Sequence, residues 1–419
     1  MRLSTAIISA VIFCWSISFC QEIEYARMIV DSLASEGMHG RGYVSGGDKT
    51  AAAFIRKEFI KSGIKSFHKD YFQTFSVSIN TFPDTMTARI DDDVLVPGRE
   101  FVVLSSSPGI DGTFGIVWQM ADTAGKLVDS INPGNGTLAD KVVVTNLDQN
   151  KFKDQNPFGS KGIISLMDQK VWWHVSNGNA VSNYFRMQVL KEKLPESAKK
   201  LTVHFRNQFL DNYPTQNVVG YVEGSTYPDS FFIFTAHYDH LGMMGSQTWF
   251  PGANDNASGT ALLLDLARYY SLTENKPEIS VGFMAFGAEE AGLAGSGYYT
   301  GHPLFPLEKI SFLVNLDMVG SGSEGIKVVN GTVFTKEFEK LKSLNKENEY
   351  LLTVSERGEA ANSDHYPFYA RGVPCFFIYT LGSECKEYHN IFDTPENVPF
   401  TEYNDLFSLL VKFQSFFEP

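Results

Sequence analysis

The sequence predicts an α/β fold with polar side chains gathered at the ends of its strands. Three short apolar runs have the length and composition of buried strands: Phe231–Ala236, Ile279–Phe286 and Phe312–Leu316. A stretch with helical spacing, Ala257–Arg268, lies between the first two runs. Apolar strands that alternate with helices are the pattern of an α/β sheet.

Acidic residues and histidines follow these strands or precede this helix. Open α/β sheets bind their ligands outside the carboxyl ends of the strands, so we expect these side chains to meet in one site. The set, in chain order, is His237, Asp239, Asp255, Glu289, Glu290, Asp317 and His389.

The chemistry of this set indicates a metal centre with two ions. Two histidines and three carboxylates are too many ligands for one zinc ion that keeps an open position. They suit two ions that share a bridging carboxylate and activate a water molecule, with two carboxylates left for chemistry. Taken singly, Asp255 also fits a helix cap, Asp239 a turn and His237 a core histidine. Only their joint occurrence predicts a dinuclear metallohydrolase.

Six stretches around these residues resemble the co-catalytic dizinc aminopeptidases, a family of secreted bacterial enzymes related to glutamate carboxypeptidase and glutaminyl cyclase. The resemblance covers residues 22–80 and 205–419. The stretches are Thr235–Gly242, Gly252–Gly259, Phe286–Gly292, Asn315–Gly320, Ser363–Pro374 and Tyr388–Thr394.

The resemblance implies a complete set of ligands for two Zn²⁺ ions. One ion would be bound by His237 and Asp317, and the other by Glu290 and His389. Asp255 would bridge the two ions.

The resemblance also implies three residues that assist the chemistry. Glu289 would be the general base that takes a proton from the bridging water. Asp239 would orient His237, as ligating histidines generally require. Tyr388 would help to stabilise the oxyanion.

The predicted domain organisation is discontinuous. The resemblance implies a peptidase domain at residues 21–84 and 201–419, built on a mixed, mostly parallel sheet sandwiched by helices. Residues 85–200 carry short β-type runs broken by Gly, Pro, Asn and Asp, and they resemble an inserted protease-associated domain. This insert would either wall or gate the cleft, or pack inertly. Within it, His174 beside Trp172 and Trp173 is interpreted as packing, with a substrate-facing aromatic rim as the alternative.

Residues 1–20 predict a signal peptide and therefore a periplasmic or secreted protein. Arg2 precedes the apolar run Ala6–Trp15, and Ser18–Cys20 supplies small residues at the cleavage positions. Lipidation of Cys20 is the alternative, and it is the one route by which we expect contact with a membrane.

Composition and cysteine content agree with export. The chain has 419 residues and a net charge of −13, which disfavours binding to nucleic acid. Cys375 and Cys385 are the cysteines beyond the signal segment, and they either form a disulfide in an oxidising compartment or remain thiols.

We therefore expect an exported dizinc exopeptidase that acts on peptides, most simply an aminopeptidase. The alternatives are a glutamate-releasing carboxypeptidase, a single-zinc cyclase and a non-catalytic binding ectodomain. The complete ligand set disfavours the cyclase. The intact ligands and base disfavour the binding ectodomain, and the sequence leaves the oligomeric state open.

Overall fold

The computed structural model describes residues 23–67, 70–121, 127–131, 137–147 and 155–419. The predicted signal segment, with Cys14 and Cys20, lies outside these ranges. Among the helices of the described ranges, none combines the length and apolar composition needed to cross a bilayer.

The described residues form seven α-helices and eighteen strands. The helices are α1 (Ile23–Leu33), α2 (Gly47–Lys61), α3 (Gly259–Ser271), α4 (Ala294–Gly301), α5 (Thr335–Asn348), α6 (His365–Tyr369) and α7 (Tyr403–Ser415). The strands are β1 (Lys65–Ser66), β2 (Phe72–Thr81), β3 (Thr87–Ile90), β4 (Asp93–Leu95), β5 (Phe101–Val103), β6 (Ile110–Ala121), β7 (Leu127–Ile131), β8 (Lys141–Thr145), β9 (Gly162–Met167), β10 (Phe185–Leu190), β11 (Lys200–Phe205), β12 (Gln208–Val222), β13 (Tyr227–His237), β14 (Ile279–Phe286), β15 (Ile310–Leu316), β16 (Gly325–Val329), β17 (Val354–Arg357) and β18 (Cys375–Leu381).

The first sheet is mixed, as the sequence predicts. Its strands run in the order β1-β12-β14-β13-β15-β18-β16-β17, with β2 also paired to β12. The four central strands, β14, β13, β15 and β18, are mutually parallel. Antiparallel pairs flank them at β12 on one side and at β16 on the other. The expectation of a mostly parallel sheet therefore holds for the centre, whereas the outer pairs are antiparallel except β16 with β17.

Helices cover both faces of this central region. All eight residues of β14 are buried, which requires apolar cover on each face. Alternate residues of β13 divide between two cores. Phe232 and Phe234 join the core that includes α1, α3 and α7, and Ile233 joins the core that includes Tyr299 of α4 and Phe368 of α6.

A second sheet is formed by the segment from β3 to β11, in the order β4-β3-β11-β6-β8-β9-β10-β5 with β7 paired to β6. Because β11 ends at Phe205, this sheet extends beyond residue 200, where the sequence prediction ended the insert. Its core also includes Leu241, Met244 and Phe250, which belong to the segment after β13. The two sheets therefore share apolar contacts close to the candidate site.

Cys375 and Cys385 are free thiols and not a disulfide. Cys375 is fully buried at the start of β18, where its Sγ lies 3.5 Å from the carbonyl oxygen of His365. The seven residues of β18 carry the chain about 20 Å along the sheet before the loop that holds Cys385. The thiol of Cys385 lies 3.6 Å from the carbonyl oxygen of Asn397.

Candidate metal centre

The candidate site lies at the carboxyl ends of the central parallel strands. His237 is the last residue of β13, and Asp317 follows β15 directly. Glu289 and Glu290 lie three and four residues after β14. Asp255 lies in a short π-helical turn, Ala253–Ser258, that leads into α3. His389 comes from the loop after β18, so the structure brings all five predicted ligands together.

Asp255 lies between the two histidines. Its Oδ1 is 3.3 Å from Nε2 of His237, and its Oδ2 is 3.1 Å from Nε2 of His389. Each carboxylate oxygen therefore faces a different ring nitrogen, which is the arrangement that a carboxylate bridging two cations requires.

Each histidine has a second carboxylate beside it. Nε2 of His237 is 3.4 Å from Oδ1 of Asp317, and Nε2 of His389 is 3.4 Å from Oε1 of Glu290. The ligand atoms of His237, Asp317 and Glu289 lie within 4.8 Å of one another. The grouping of donors fits two adjacent ions, each held by mixed nitrogen and oxygen ligands.

The donors are buried and strongly coupled electrostatically. Burial opposes protonation of His389, but the nearby Glu290 and Asp255 outweigh it and raise the pKa of His389 to about 11. Burial likewise opposes protonation of His237, and Asp317 and Glu289 raise its pKa well above the ordinary value. Such a concentration of buried carboxylates stabilises positive charge, and metal cations provide that charge without a proton.

Glu289 occupies an environment suited to a general base. Burial raises the pKa of Glu289 well above its ordinary value, the positive charge of His237 opposes this shift, and Glu290 adds to it. A carboxylate with a raised pKa accepts a proton from a metal-activated water near neutral pH more readily than an ordinary glutamate does.

Asp239 contacts both His237 and the loop that carries the two glutamates. Its carboxylate accepts the backbone N–H groups of Glu289 at 3.0 Å and Glu290 at 3.2 Å. Nδ1 of His237 lies 3.1 Å from the carbonyl oxygen of Asp239 and 3.8 Å from its Oδ1. The main chain of Asp239 is therefore the nearer partner of His237, while the side chain holds the loop that carries both glutamates.

Tyr388 lies at the edge of the site. Its ring stacks on the ring of His389 with a centroid distance of 3.8 Å, and the residue remains 40% exposed. The side chain therefore has access both to solvent and to the metal-binding region, as a residue that touches a bound substrate requires.

The structure adds three residues that the sequence interpretation missed. His240 is fully buried, and its Nδ1 is 2.9 Å from Oε1 of Glu290. Ser363 donates a hydrogen bond to Oδ2 of Asp317 at 2.7 Å. Asp393 accepts the backbone N–H groups of Asn254 and Asp255, which fixes the turn that carries the bridging carboxylate. All three residues lie within stretches that carry the family resemblance, but sequence spacing does not reveal which atom each one contacts.

His174 also belongs to the site, although the sequence favoured simple packing for it. Its Nδ1 lies 2.9 Å from Nδ1 of His389. The segment between β9 and β10 of the second sheet therefore reaches the metal-binding region.

Together, the fold and the arrangement of donors define the class of zinc metallopeptidases. Comparison with known proteins agrees, because residues 217–414 match peptidase family M28. Over these residues, the match confirms the resemblance found in the sequence.

Two similar proteins are named as a peptidase or protease. Aminopeptidase YwaD of Bacillus subtilis is 32% identical over 201 residues, which are 44% of this chain and 40% of the relative. A probable zinc metalloprotease of Leptosphaeria maculans is 38% identical over 109 residues, covering 26% of this chain and 25% of the relative. The chain thus spans less than half the length of these relatives.

Solved structures share the fold over nearly the whole chain. The zinc aminopeptidase BSAP of Bacillus subtilis has a TM-score of 0.68 and 20% identity, with 94% of each chain covered. A peptidase M28 precursor of Shewanella amazonensis has a TM-score of 0.71 and 18% identity, covering 93% of this chain and 92% of its own. Both matches extend through the second sheet as well as the first.

Proposed function

We propose that this protein is an exported aminopeptidase that uses two Zn²⁺ ions to hydrolyse the first peptide bond of its substrates. The observation that carries the proposal is the position of Asp255, whose two carboxylate oxygens face the ring nitrogens of His237 and His389. A carboxylate held in this way suits a bridge between two ions.

The residues of the site have separable tasks. His237 and Asp317 would hold one ion, and His389 and Glu290 the other, with Asp255 between them. The bound ions would supply an acidified water and polarise the carbonyl group that is attacked. Glu289 accepts the proton of that water and delivers it to the leaving amine. The buried carboxylate of Asp239 keeps Glu289 in place by accepting its backbone N–H.

Two considerations favour an aminopeptidase over a single-zinc cyclase. The five ligands of a two-metal site are all present and adjacent, whereas a cyclase with one zinc ion needs fewer. Aminopeptidase is also the printed name of the Bacillus subtilis relative, although the match covers 40% of that protein. Export is supported by the signal-type composition of residues 1–20.

Hydrolysis of aminoacyl-p-nitroanilides by the mature chain tests the proposal. We expect release of p-nitroaniline that a chelator removes and that zinc restores. N-acetylated versions of the same substrates are the matched control, because an aminopeptidase requires a free amine. Cleavage of the acetylated substrates, or of peptides from the carboxyl end, would contradict the assignment as an aminopeptidase. Zinc-independent release would contradict the metal-based mechanism.

A further inference from the structure

We propose that His174 of the second sheet is a positioning residue for His389, so that one of the two metal sites is completed by the segment between β9 and β10. The inference rests on the proposed function, because it concerns the binding of metal at His389. It gives the second sheet a defined task that neither its fold nor the family match assigns.

The segment that carries His174 is fixed against the loop that carries His389. The backbone N–H of Trp173 donates a hydrogen bond to the carbonyl oxygen of His389 at 2.8 Å. Lys170 forms an ion pair with Glu387, and Glu387 in turn accepts a hydrogen bond from Asn390 at 3.0 Å. These contacts involve Glu387 before His389 and Asn390 after it in the sequence.

The same segment is anchored in its own sheet. The indole N–H of Trp173 donates to the carbonyl oxygen of Val103 in β5 at 2.7 Å, and the Trp173 side chain is buried. Its ring packs on Phe250 with a centroid distance of 5.0 Å. The position of His174 is therefore set by the core of the second sheet and not by a free loop.

The contact between the two histidines joins their Nδ1 atoms. Nε2 of His389 faces Asp255 and Glu290 and must lose its proton to bind a metal ion, so in the metal-bound protein the ring proton would lie on Nδ1. Nδ1 of His389 would then donate to Nδ1 of His174, 2.9 Å away, with the proton of a neutral His174 ring on its Nε2. We assign these proton positions from the contacts that Nε2 and Nδ1 of His389 make.

The two ligating histidines are thus oriented from different parts of the molecule. Nδ1 of His237 has the carbonyl oxygen of Asp239 as its partner, 3.1 Å away and within the first sheet region. Nδ1 of His389 has a side chain from the second sheet region. Hydrogen bonds of this kind fix the ring of a ligating histidine, and their loss typically weakens metal binding about 10–100-fold. Removal of the His174 acceptor should therefore weaken the site at His389 selectively.

Two substitutions separate hydrogen bonding from packing. His174→Phe keeps an aromatic ring but removes the acceptor atom. His174→Asn places an amide oxygen close to the position of the imidazole Nδ1 and retains an acceptor. His204→Phe in β11 is the matched control, because it replaces a partly exposed histidine of the same sheet that pairs with Asp111.

Zinc affinity of each site is measured by competition with a chromophoric chelator, and thermal unfolding of the metal-free proteins checks that each variant folds. We expect His174→Phe to weaken one of two zinc ions about 10–100-fold, while the other ion binds as in the wild type. His174→Asn should recover most of the lost affinity, and His204→Phe should match the wild type. When cobalt replaces zinc, the visible spectrum of one of the two ions should differ between His174→Phe and the wild type.

Three results would overturn the inference. These are unchanged affinity in His174→Phe, equal weakening of both ions, and equal losses in His174→Phe and His174→Asn. Failure of the wild-type protein to bind two zinc ions would instead overturn the proposed function, and the inference with it.

Discussion

Asp239 accepts a hydrogen bond from the backbone N–H of Glu289 at 3.0 Å through its Oδ1. Its Oδ2 accepts the N–H of Glu290, so one carboxylate fixes the loop that presents both glutamates. Burial raises the pKa of Asp239 to about 7, although the nearby His237 opposes this shift. The proposed general base, Glu289, and the proposed metal ligand, Glu290, therefore depend on one buried carboxylate that contacts their main chain.

Asp239→Asn should lower kcat while the protein still folds. Asparagine keeps one acceptor oxygen but turns an amide N–H group toward a backbone donor, so one of the two loop contacts is lost. We expect kcat to fall about 10–100-fold, as for other residues that support a metal ligand. Steady-state kinetics and metal analysis measure the effect, with Asp229→Asn at an exposed position as the control. Wild-type kcat in Asp239→Asn would contradict this role.

Glu289→Gln and Glu290→Gln should have different effects. The first removes the proton acceptor, so we expect kcat to fall about 10²–10⁴-fold while two zinc ions remain bound. The second removes a ligand, so we expect loss of zinc affinity as well as activity. Parallel kinetics and zinc analysis distinguish them. Loss of zinc in Glu289→Gln with retention in Glu290→Gln would reverse the two assigned roles.

Arg41→Met should destabilise the protein strongly. The Arg41 side chain is fully buried and donates hydrogen bonds to five backbone carbonyl groups. The acceptors belong to Leu33, Tyr238, Pro251, Gly252 and Asp255. Methionine leaves these buried acceptors without donors, so we expect a loss of about 3–5 kcal/mol in the free energy of unfolding.

Denaturant titration measures the effect of Arg41→Met. Arg56→Met is the control, because Arg56 makes an exposed hydrogen bond to Asp70 and should cost less than about 1 kcal/mol. Equal losses in the two variants would contradict a structural role for Arg41 beneath the site.

Glu384 should make stability depend on pH in the acidic range. Burial opposes its ionisation, but hydrogen bonds from Ser323 and Thr401 lower the pKa of Glu384 from 4.5 to about 2. Because the pKa is lower in the folded state, ionised Glu384 stabilises the fold above pH 4.5. This contribution is lost as the pH falls from 4.5 toward 2.

Glu384→Gln tests this dependence. We expect it to destabilise the protein by no more than about 1 kcal/mol at pH 7, because the group is partly solvated, and by progressively less as the pH approaches 2. Unfolding curves at several pH values measure the difference, with the exposed Glu36→Gln as the control. A difference that stays constant between pH 7 and pH 3 would contradict the link to the ionisation of Glu384.

The sequence predicted the parts of the fold that local pattern determines. The strand at Ile279–Phe286 has its predicted bounds, because an apolar run of this length between turn residues has few alternatives. The antiparallel edges of the first sheet could not be derived in this way. Strand direction depends on the connections between strands and not on their composition.

In the site, too, the sequence predicted what local pattern determines and missed what depends on tertiary packing. The acidic residues and histidines after β13, β14 and β15 could be found because each strand delivers its terminal residue to the same edge. The contact of His174 with His389 joins residues 215 positions apart and depends on how the two sheets pack. The hydrogen-bond partners of Asp239 could not be predicted either. The sequence identifies a carboxylate but not the backbone N–H groups that donate to it.

Zinc titration of the metal-free protein, followed by hydrolysis of an aminoacyl-p-nitroanilide, tests the two-metal site most directly. Because Asp255 faces both His237 and His389, we expect two equivalents of zinc to bind and full activity to require the second equivalent. Full activity at one equivalent, with no further binding, would contradict a dinuclear centre.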